Sequence, residues 1–513
     1  MTQHAKKVIH NTAFLYGKLI FSAAVTLYST RLLLNSLGIA DFGIYNLIAG
    51  VILMLTFING AMTITTQRYL SFHLGGGDLQ QLNKIFNSSV SIHFLISMGI
   101  VLLLESLSFW LLHGFLHIPA DRISDAAWCY HLMVISTFFT INAVPYDALI
   151  NAKEDMRFDA IIGMAESLLK FVAAYSIAFF DSHKLIVYST GVVITTILIR
   201  VVKSLWCRLK YRESALSFRW LKEGYLFREM LSYASWNLFG SICYVASSQG
   251  IAIVLNRFLG VGINGTYAIA QQMNAQLQSF SVIIGKALNP QIVKSEGFGD
   301  RPRMTRLALL SSKSSTFLLL FIVVPLVAEM NGVLTIWLAQ VPPQAAVFCT
   351  IILVNALINQ LSTGIKSAVQ ATGNIKLYQS VVGTTVMLIV PIAYLLLHLG
   401  ASVFHVLLAS TAMEIISLSL RLSICRRISG ISYARFLNDV LAKVILVAVL
   451  PILTVIIWQS TVAFSIFRMV GTVVLHTLVL LTSIYLVGMT SNEKTWVTMA
   501  IKKIKGKKIK LSV

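Results

Sequence analysis

Lys18, Glu105, Glu166, Lys170 and Glu414 stand inside long apolar runs. An ionisable side chain there is costly unless it faces a cavity or a partner. Lys18 lies about eight residues into the first run, roughly 12 Å deep at 1.5 Å per residue. Arg31 is near the far end of the same run. Glu166 and Lys170 are four apart, so on a helix they share a face and can pair. Two roles are open to the lysines. They can attract an anion such as a phosphate or pyrophosphate, or Lys170 can neutralise Glu166 while Lys18 snorkels toward water. The anion is the expectation.

Helical spacing gathers further polar groups onto single faces. Asn11, Lys18, Ser22 and Ser29 form one set; Asn237, Ser241, Tyr244 and Ser248 a second; Gln271, Asn274 and Gln278 a third; Asn355 and Asn359 a fourth. These faces are too polar for lipid. They either hydrogen-bond between helices or line a wet cavity. For any one residue, helix packing suffices. For the set, a hydrated central cavity is expected, with Lys18, Arg31, Glu166, Lys170, Asn237, Ser241, Gln271, Asn274, Asn355 and Asn359 as substrate-binding residues.

Positioning these groups requires membrane helices. Of 513 residues, 57% are hydrophobic and 12% charged. Soluble proteins run at about 45–50% apolar and 25% charged. The apolar residues lie in continuous blocks about as long as a bilayer-crossing helix. That excludes a soluble enzyme, a secreted disulfide scaffold and a disordered regulator, and a β-barrel would show short alternating segments instead. The expected fold is an all-α polytopic membrane protein of about fourteen transmembrane helices. They fall near 10–34, 42–66, 88–111, 126–149, 158–180, 184–205, 230–256, 263–287, 312–338, 345–369, 377–398, 402–424, 440–459 and 466–489.

The chain holds 41 Lys plus Arg against 20 Asp plus Glu. With the N-terminus in the cytoplasm, 34 basic residues fall on the cytoplasmic side and five on the other, counting segments 200–228 and 421–443 as cytoplasmic. This is a positive-inside pattern with both termini cytoplasmic. The tail KKIKGKKIK, 502–510, then meets anionic membrane lipids, and nucleic acid is not expected. The first apolar run reads as a span and not as a cleaved signal peptide. The five cysteines show no paired spacing and read as small buried hydrophobes. His113 and His117 lack a third ligand, and no nucleophile–base pair is visible. No enzyme, metal or cofactor is expected. Coupling to a proton or sodium gradient stays open.

A shift of 222 residues superposes Leu33, Leu37, Gly38, Gly43 and Tyr45 on Leu255, Leu259, Gly260, Gly265 and Tyr267. Gly75, Gly77 and Asp78 likewise fall on Gly297, Gly299 and Asp300. Six spans separate the copies, so the repeat is parallel. It predicts two pseudo-symmetric six-helix lobes plus two C-terminal helices. The divisions are 1–205 (N-terminal lobe), 206–229 (basic cytoplasmic connection), 230–425 (C-terminal lobe), 426–489 (helices 13–14) and 490–513 (basic tail). Such proteins bind substrate between lobes and alternate access. The triad Gly260, Gly262, Gly265 fits a dinucleotide fingerprint, but it joins two membrane helices and reads as a tight turn.

Several segments resemble the bacterial polysaccharide flippases, the Wzx-type O-antigen transporters, a branch of the multidrug/oligosaccharidyl-lipid/polysaccharide exporter superfamily. They include NTAFLYGKLI from Asn11, RLLLNSLGIADFGIYNLI from Arg31, NAVPYDALINAKEDMRFDAI from Asn142, KALNPQIVKS from Lys286 and IKSAVQATGNIKLYQ from Ile365. The resemblance implies an inner-membrane flippase for lipopolysaccharide or other surface-polysaccharide biosynthesis. It would carry undecaprenyl-pyrophosphate-linked oligosaccharide to the periplasmic leaflet, without a cofactor and beside polysaccharide polymerase machinery. A cationic cavity built on Lys18, Arg31 and Lys170 is implied with it. The alternative is a multidrug or cation exporter of the same fold. A membrane-embedded polymerase or ligase is the third class, disfavoured because no large external loop is present.

Overall fold

The computed structural model describes residues 3–53, 56–76, 78–115, 118, 120–215, 224–338, 341–491 and 493–495. The basic tail at 502–510, His117 and the Arg31 side chain lie outside the described residues. The helices are α1 (Gln3–Leu53), α2 (Thr56–Gly76), α3 (Leu79–Trp110), α4 (Ile123–Ala152), α5 (Met156–Ser176) and α6 (Lys184–Lys210). Then come α7 (Gly224–Gly297), α8 (Arg301–Ala328), α9 (Met330–Trp337), α10 (Ala345–Gln360), α11 (Thr363–Thr372) and α12 (Lys376–Met387). The chain ends with α13 (Ile389–His398), α14 (Val403–Ser429), α15 (Tyr433–Phe436), α16 (Ala442–Thr461) and α17 (Ile466–Ser483). There is no strand among the described residues.

Eleven helical stretches among the described residues are long and apolar enough to cross a membrane. Fourteen were expected; the missing ones are the first, second and eighth. The eighth carries Gln271, Asn274 and Gln278, whose amides dilute its apolar character. The expected first two spans are also divided differently. Helix α1 runs unbroken through the anticipated turn at 35–41 and is described as far as Leu53. Its repeat partner does break: Gly260 inside α7 takes φ +82°, ψ −179°, a conformation essentially confined to glycine. Leucines, large aromatics and β-branched residues such as Leu102, Phe109, Val172, Leu446 and Val470 are exposed. On a water-soluble protein so much exposed apolar surface would be a liability; here lipid is the solvent. The chain is a multi-pass membrane protein.

The described contacts form two compact units, 11–238 and 239–513, the latter with 1–10. In the first, α4 packs on α3, α6 and α2, and α5 on α6. Its core joins Ile44 and Ile48 of α1 to Ile100, Cys129, Tyr130 and Ile141. In the second, α14 packs on α10 to α13, and α8 on α10 and α11. Helices α16 and α17 pack on each other and both on α8. All five cysteines are buried.

The repeated aspartates do the same job in each unit. Asp78 caps α3, accepting from the Gln81 N–H at 2.9 Å, and Asp300 caps α8, accepting from the Arg303 N–H at 3.0 Å. Each satisfies a backbone donor that the first helical turn leaves free. Between α4 and α5 the chain turns on Glu154 at φ +59°. Next to it, Asp155 accepts from Lys210, Tyr211 and Trp206 at 2.6, 2.9 and 3.2 Å. Burial pushes the Asp155 carboxyl up, but these hydrogen bonds outweigh burial and hold it below its ordinary value.

Candidate substrate-binding sites

In unit 11–238 the polar face of α1 meets α5. Asn11 is buried and donates to the Glu154 carbonyl at 3.3 Å. Lys18 Nζ donates to Asp159 Oδ2 at 3.2 Å. Ser167 Oγ donates to Ser22 Oγ at 2.8 Å. Lys18 passes over Gly163: a Cβ built there would stand 2.1 Å from Lys18 Cε. Farther along the same face of α5, Lys170 Nζ donates to Glu166 Oε1 at 2.7 Å. Lys203 of α6 pairs with Asp147 of α4 at 2.7 Å.

The two lysines expected to attract an anion are therefore each bound to a carboxylate, and Lys203 is too. With their partners these six groups carry no net charge. Asn237 is buried and donates to the Tyr233 carbonyl at 3.2 Å.

Unit 239–513 contains a cavity of about 290 Å³. Helix α7 lines it from both sides of the Gly260 break, with Tyr244 and Ser248 before it and Tyr267, Gln271, Asn274 and Gln278 after it. Helix α10 adds Asn355 and Asn359, and α14 adds Ser410 and Glu414. The polar groups repeat every three or four residues on each helix, which stacks them about one turn apart. Gln271 Nε2 donates to Tyr267 Oη at 2.6 Å, and Gln278 Nε2 to Asn274 Oδ1 at 3.3 Å. Asn355 Nδ2 donates to Ser410 Oγ at 2.9 Å, and Asn359 Nδ2 to Glu414 Oε1 at 2.5 Å. These two rungs keep one sequence offset, so α10 and α14 run in the same direction. Asn355 Oδ1 is buried without a protein hydrogen bond.

Arg421 completes this array. Its Nη1 lies 3.4 Å from Glu414 Oε1 and donates to Ser362 Oγ at 2.6 Å. Asn359 and Arg421 both meet Glu414 at Oε1, and Glu414 is the one carboxylate among the described cavity-lining residues.

The sequence-derived set thus divides. Gln271, Asn274, Asn355 and Asn359 converge on this cavity, while the half-buried Ser241 lies outside its lining. Lys18, Glu166 and Lys170 belong to the α1–α5 cluster. Sequence reasoning missed Asp159 as the partner of Lys18, and it counted Lys203 and Arg421 with the cytoplasmic loops. A signal existed: Asp159 precedes Glu166 by seven residues, and Glu414 precedes Arg421 by seven, each spacing returning to the same helix face.

No family model matches the sequence, and no curated protein is similar to it. Solved structures do match in fold. An outward-facing multidrug resistance MATE family transporter of the MOP superfamily aligns at a TM-score of 0.71 and 11% identity, over 84% of this chain and 99% of that one. A MOP superfamily transporter from Pyrococcus furiosus, described as having a binding pocket of reverse polarity, aligns at 0.70 and 10%, over 83% and 96%. The MATE transporter ClbM in complex with Rb+ aligns at 0.69 and 14%, over 85% and 96%. At these identities the likeness is one of fold, and it does not single out a polysaccharide flippase. The chain has the fold of the MATE transporters of the MOP superfamily.

Proposed function

We propose that the chain is an exporter of organic cations that works by alternating access, with the cavity lined by α7, α10 and α14 as its substrate seat. The observation that carries this reading is Glu414, a carboxylate presented to a cavity that also exposes Tyr244. A carboxylate with an aromatic face suits a weakly hydrated cation. The fold shared with multidrug MATE transporters supports the same class. Rb+ in one of those structures supports coupling to a monovalent-cation gradient. The lysine and arginine distribution supports a cytoplasmic-membrane location with both termini inside. The test is ethidium transport by the purified protein in liposomes under an imposed proton or sodium gradient. Gradient-dependent transport that Glu414→Gln abolishes is the expected result. No transport by the wild type under either gradient would overturn the reading.

A second reading is a flippase for undecaprenyl-pyrophosphate-linked oligosaccharide. The observation favouring it is the run of amides at Gln271, Asn274, Gln278, Asn355 and Asn359, which can exchange hydrogen bonds with sugar hydroxyls. Against it, neither Lys18 nor Lys170 lines this cavity. Gene deletion in the native host separates the two readings. Lost surface glycan with lipid-linked repeat units accumulating supports the flippase; intact glycan with hypersensitivity to cationic dyes supports the exporter.

A further inference from the structure

A second cavity, of about 350 Å³, lies in unit 239–513 and shares no lining residue with the first. It lies where three membrane-crossing stretches have their ends: 301–328 begins there, 433–461 begins there and 466–488 finishes there. Four cations line it, Arg306 and Lys313 from α8, Arg435 from α15 and Lys443 from α16, with Asp439 and Glu493 as the acidic residues.

Lys313 and Glu493 neutralise each other. The buried Lys313 ammonium donates to both Glu493 oxygens at 2.8 and 3.0 Å and to the Gly488 carbonyl at 3.1 Å. Arg306, Arg435 and Lys443 form no ion pair among the described residues, and neither does Asp439. Three cations against one carboxylate leave a surplus of two positive charges around one concavity. Thr305 and Thr490 add hydroxyl donors. On the same apolar stretch, Leu437 is exposed between Arg435 and Lys443, and Ile445 and Leu446 are exposed just after Lys443. A ligand suited to this place carries a phosphate at its head and aliphatic chains below it.

We infer that this cavity binds the phosphate of an anionic phospholipid. Arginine and lysine donate charge-assisted hydrogen bonds to phosphate oxygens, and a juxtamembrane basic cluster is further favoured by an anionic leaflet. The exposed aliphatic side chains give the acyl tails a surface that inorganic phosphate does not need. This site is separate from the α7–α10–α14 cavity and does not depend on the transport reading.

The test is native mass spectrometry of the full-length protein in detergent, titrated with phosphatidylglycerol or phosphatidylcholine. Wild type is expected to retain one phosphatidylglycerol in preference to phosphatidylcholine. The triple variant Arg306→Gln, Arg435→Gln, Lys443→Gln should lose that preference, by on the order of tenfold in affinity for each cation removed. Asp439→Asn, which leaves every cation in place, should tighten phosphatidylglycerol binding and so guards against a misfolded triple variant. Equal retention of the two lipids by wild type overturns the inference. Displacement of phosphatidylglycerol by an equal concentration of inorganic phosphate also overturns it, assigning the site to free phosphate instead.

Discussion

Lys18 reaches Asp159 across the bare Cα of Gly163. The ion pair measures 3.2 Å, and the Asp159 side chain is nearly buried while that of Lys18 is about two-thirds covered. The pair ties α1 to the first turn of α5, with the carboxylate almost wholly covered. Removing one member of such a pair strands the other charge, which costs more than removing both. Asp159→Asn should therefore lower the thermal midpoint in detergent more than the double variant Lys18→Met, Asp159→Leu. Equal losses would show that the pair is hydrated and contributes little.

Much of this arrangement is legible in the sequence, and the unread remainder has a common cause. Periodicity assigns residues to a face: Glu166 with Lys170, Gln271 with Asn274, Asn355 with Asn359. It does not name the neighbouring helix. Asp159 is 141 residues from Lys18, and nothing local to either one reports the pairing. Arg421 looks like a loop cation because basic residues follow it at Arg426 and Arg427, yet it is buried against Glu414 and Ser362. The repeat shows the same limit. It aligns Asp78 with Asp300, and both cap helices, but it also implies a turn in α1 like that at Gly260, and the helix there continues. A shared glycine permits a break without enforcing one.

Glu414 provides the sharpest functional prediction. Glutamine keeps an acceptor for Asn359 but removes the charge that faces the cavity and balances Arg421. Glu414→Gln alone leaves the buried arginine uncompensated, so Glu414→Gln, Arg421→Met is the cleaner variant. Both should abolish transport of a cationic dye, and the double variant should fold at least as well as the single. A double variant that still transports the dye would remove Glu414 from the substrate seat.

Gly364 marks the closest approach of α11 to α8. A Cβ there would stand 1.8 Å from the Ala308 carbonyl oxygen and 3.0 Å from the Ser312 nitrogen, both backbone atoms. Gly364 N–H also donates to Ser312 Oγ at 3.0 Å. Small residues at such crossings let helices pack when no hydrophobic effect drives them together in lipid. Gly364→Ala must push the helices apart and should cost about 3 kcal/mol or more. Gly99→Ala, on an exposed helix face with nothing near the added methyl, should instead be neutral or stabilising by about 0.5 kcal/mol. Thermal unfolding of the two variants in one detergent checks the contrast.

Glu329 predicts how stability depends on pH. It follows α8, outside the membrane-crossing stretches, and joins that helix to the pair α16–α17. Arg468 Nη2 donates to its Oε2 at 2.8 Å, while Gln459 Nε2 and Thr472 Oγ1 donate to its Oε1 at 3.1 and 2.8 Å. Burial pushes the carboxyl up, but these three donors and the Arg468 charge outweigh it and hold Glu329 below its ordinary value. The unfolded chain then binds the proton more readily than the folded one. The stabilisation is complete above the unfolded value, near pH ~4.3 for a free glutamate. It is lost as the pH falls from there through the lower folded value. The thermal midpoint of wild type should therefore drop on acidification across that window, and Glu329→Gln should flatten this part of the profile while lowering the midpoint at neutral pH. An unchanged acid limb in Glu329→Gln would assign the acid sensitivity to other carboxylates, with Asp155 and its three donors as the next to test.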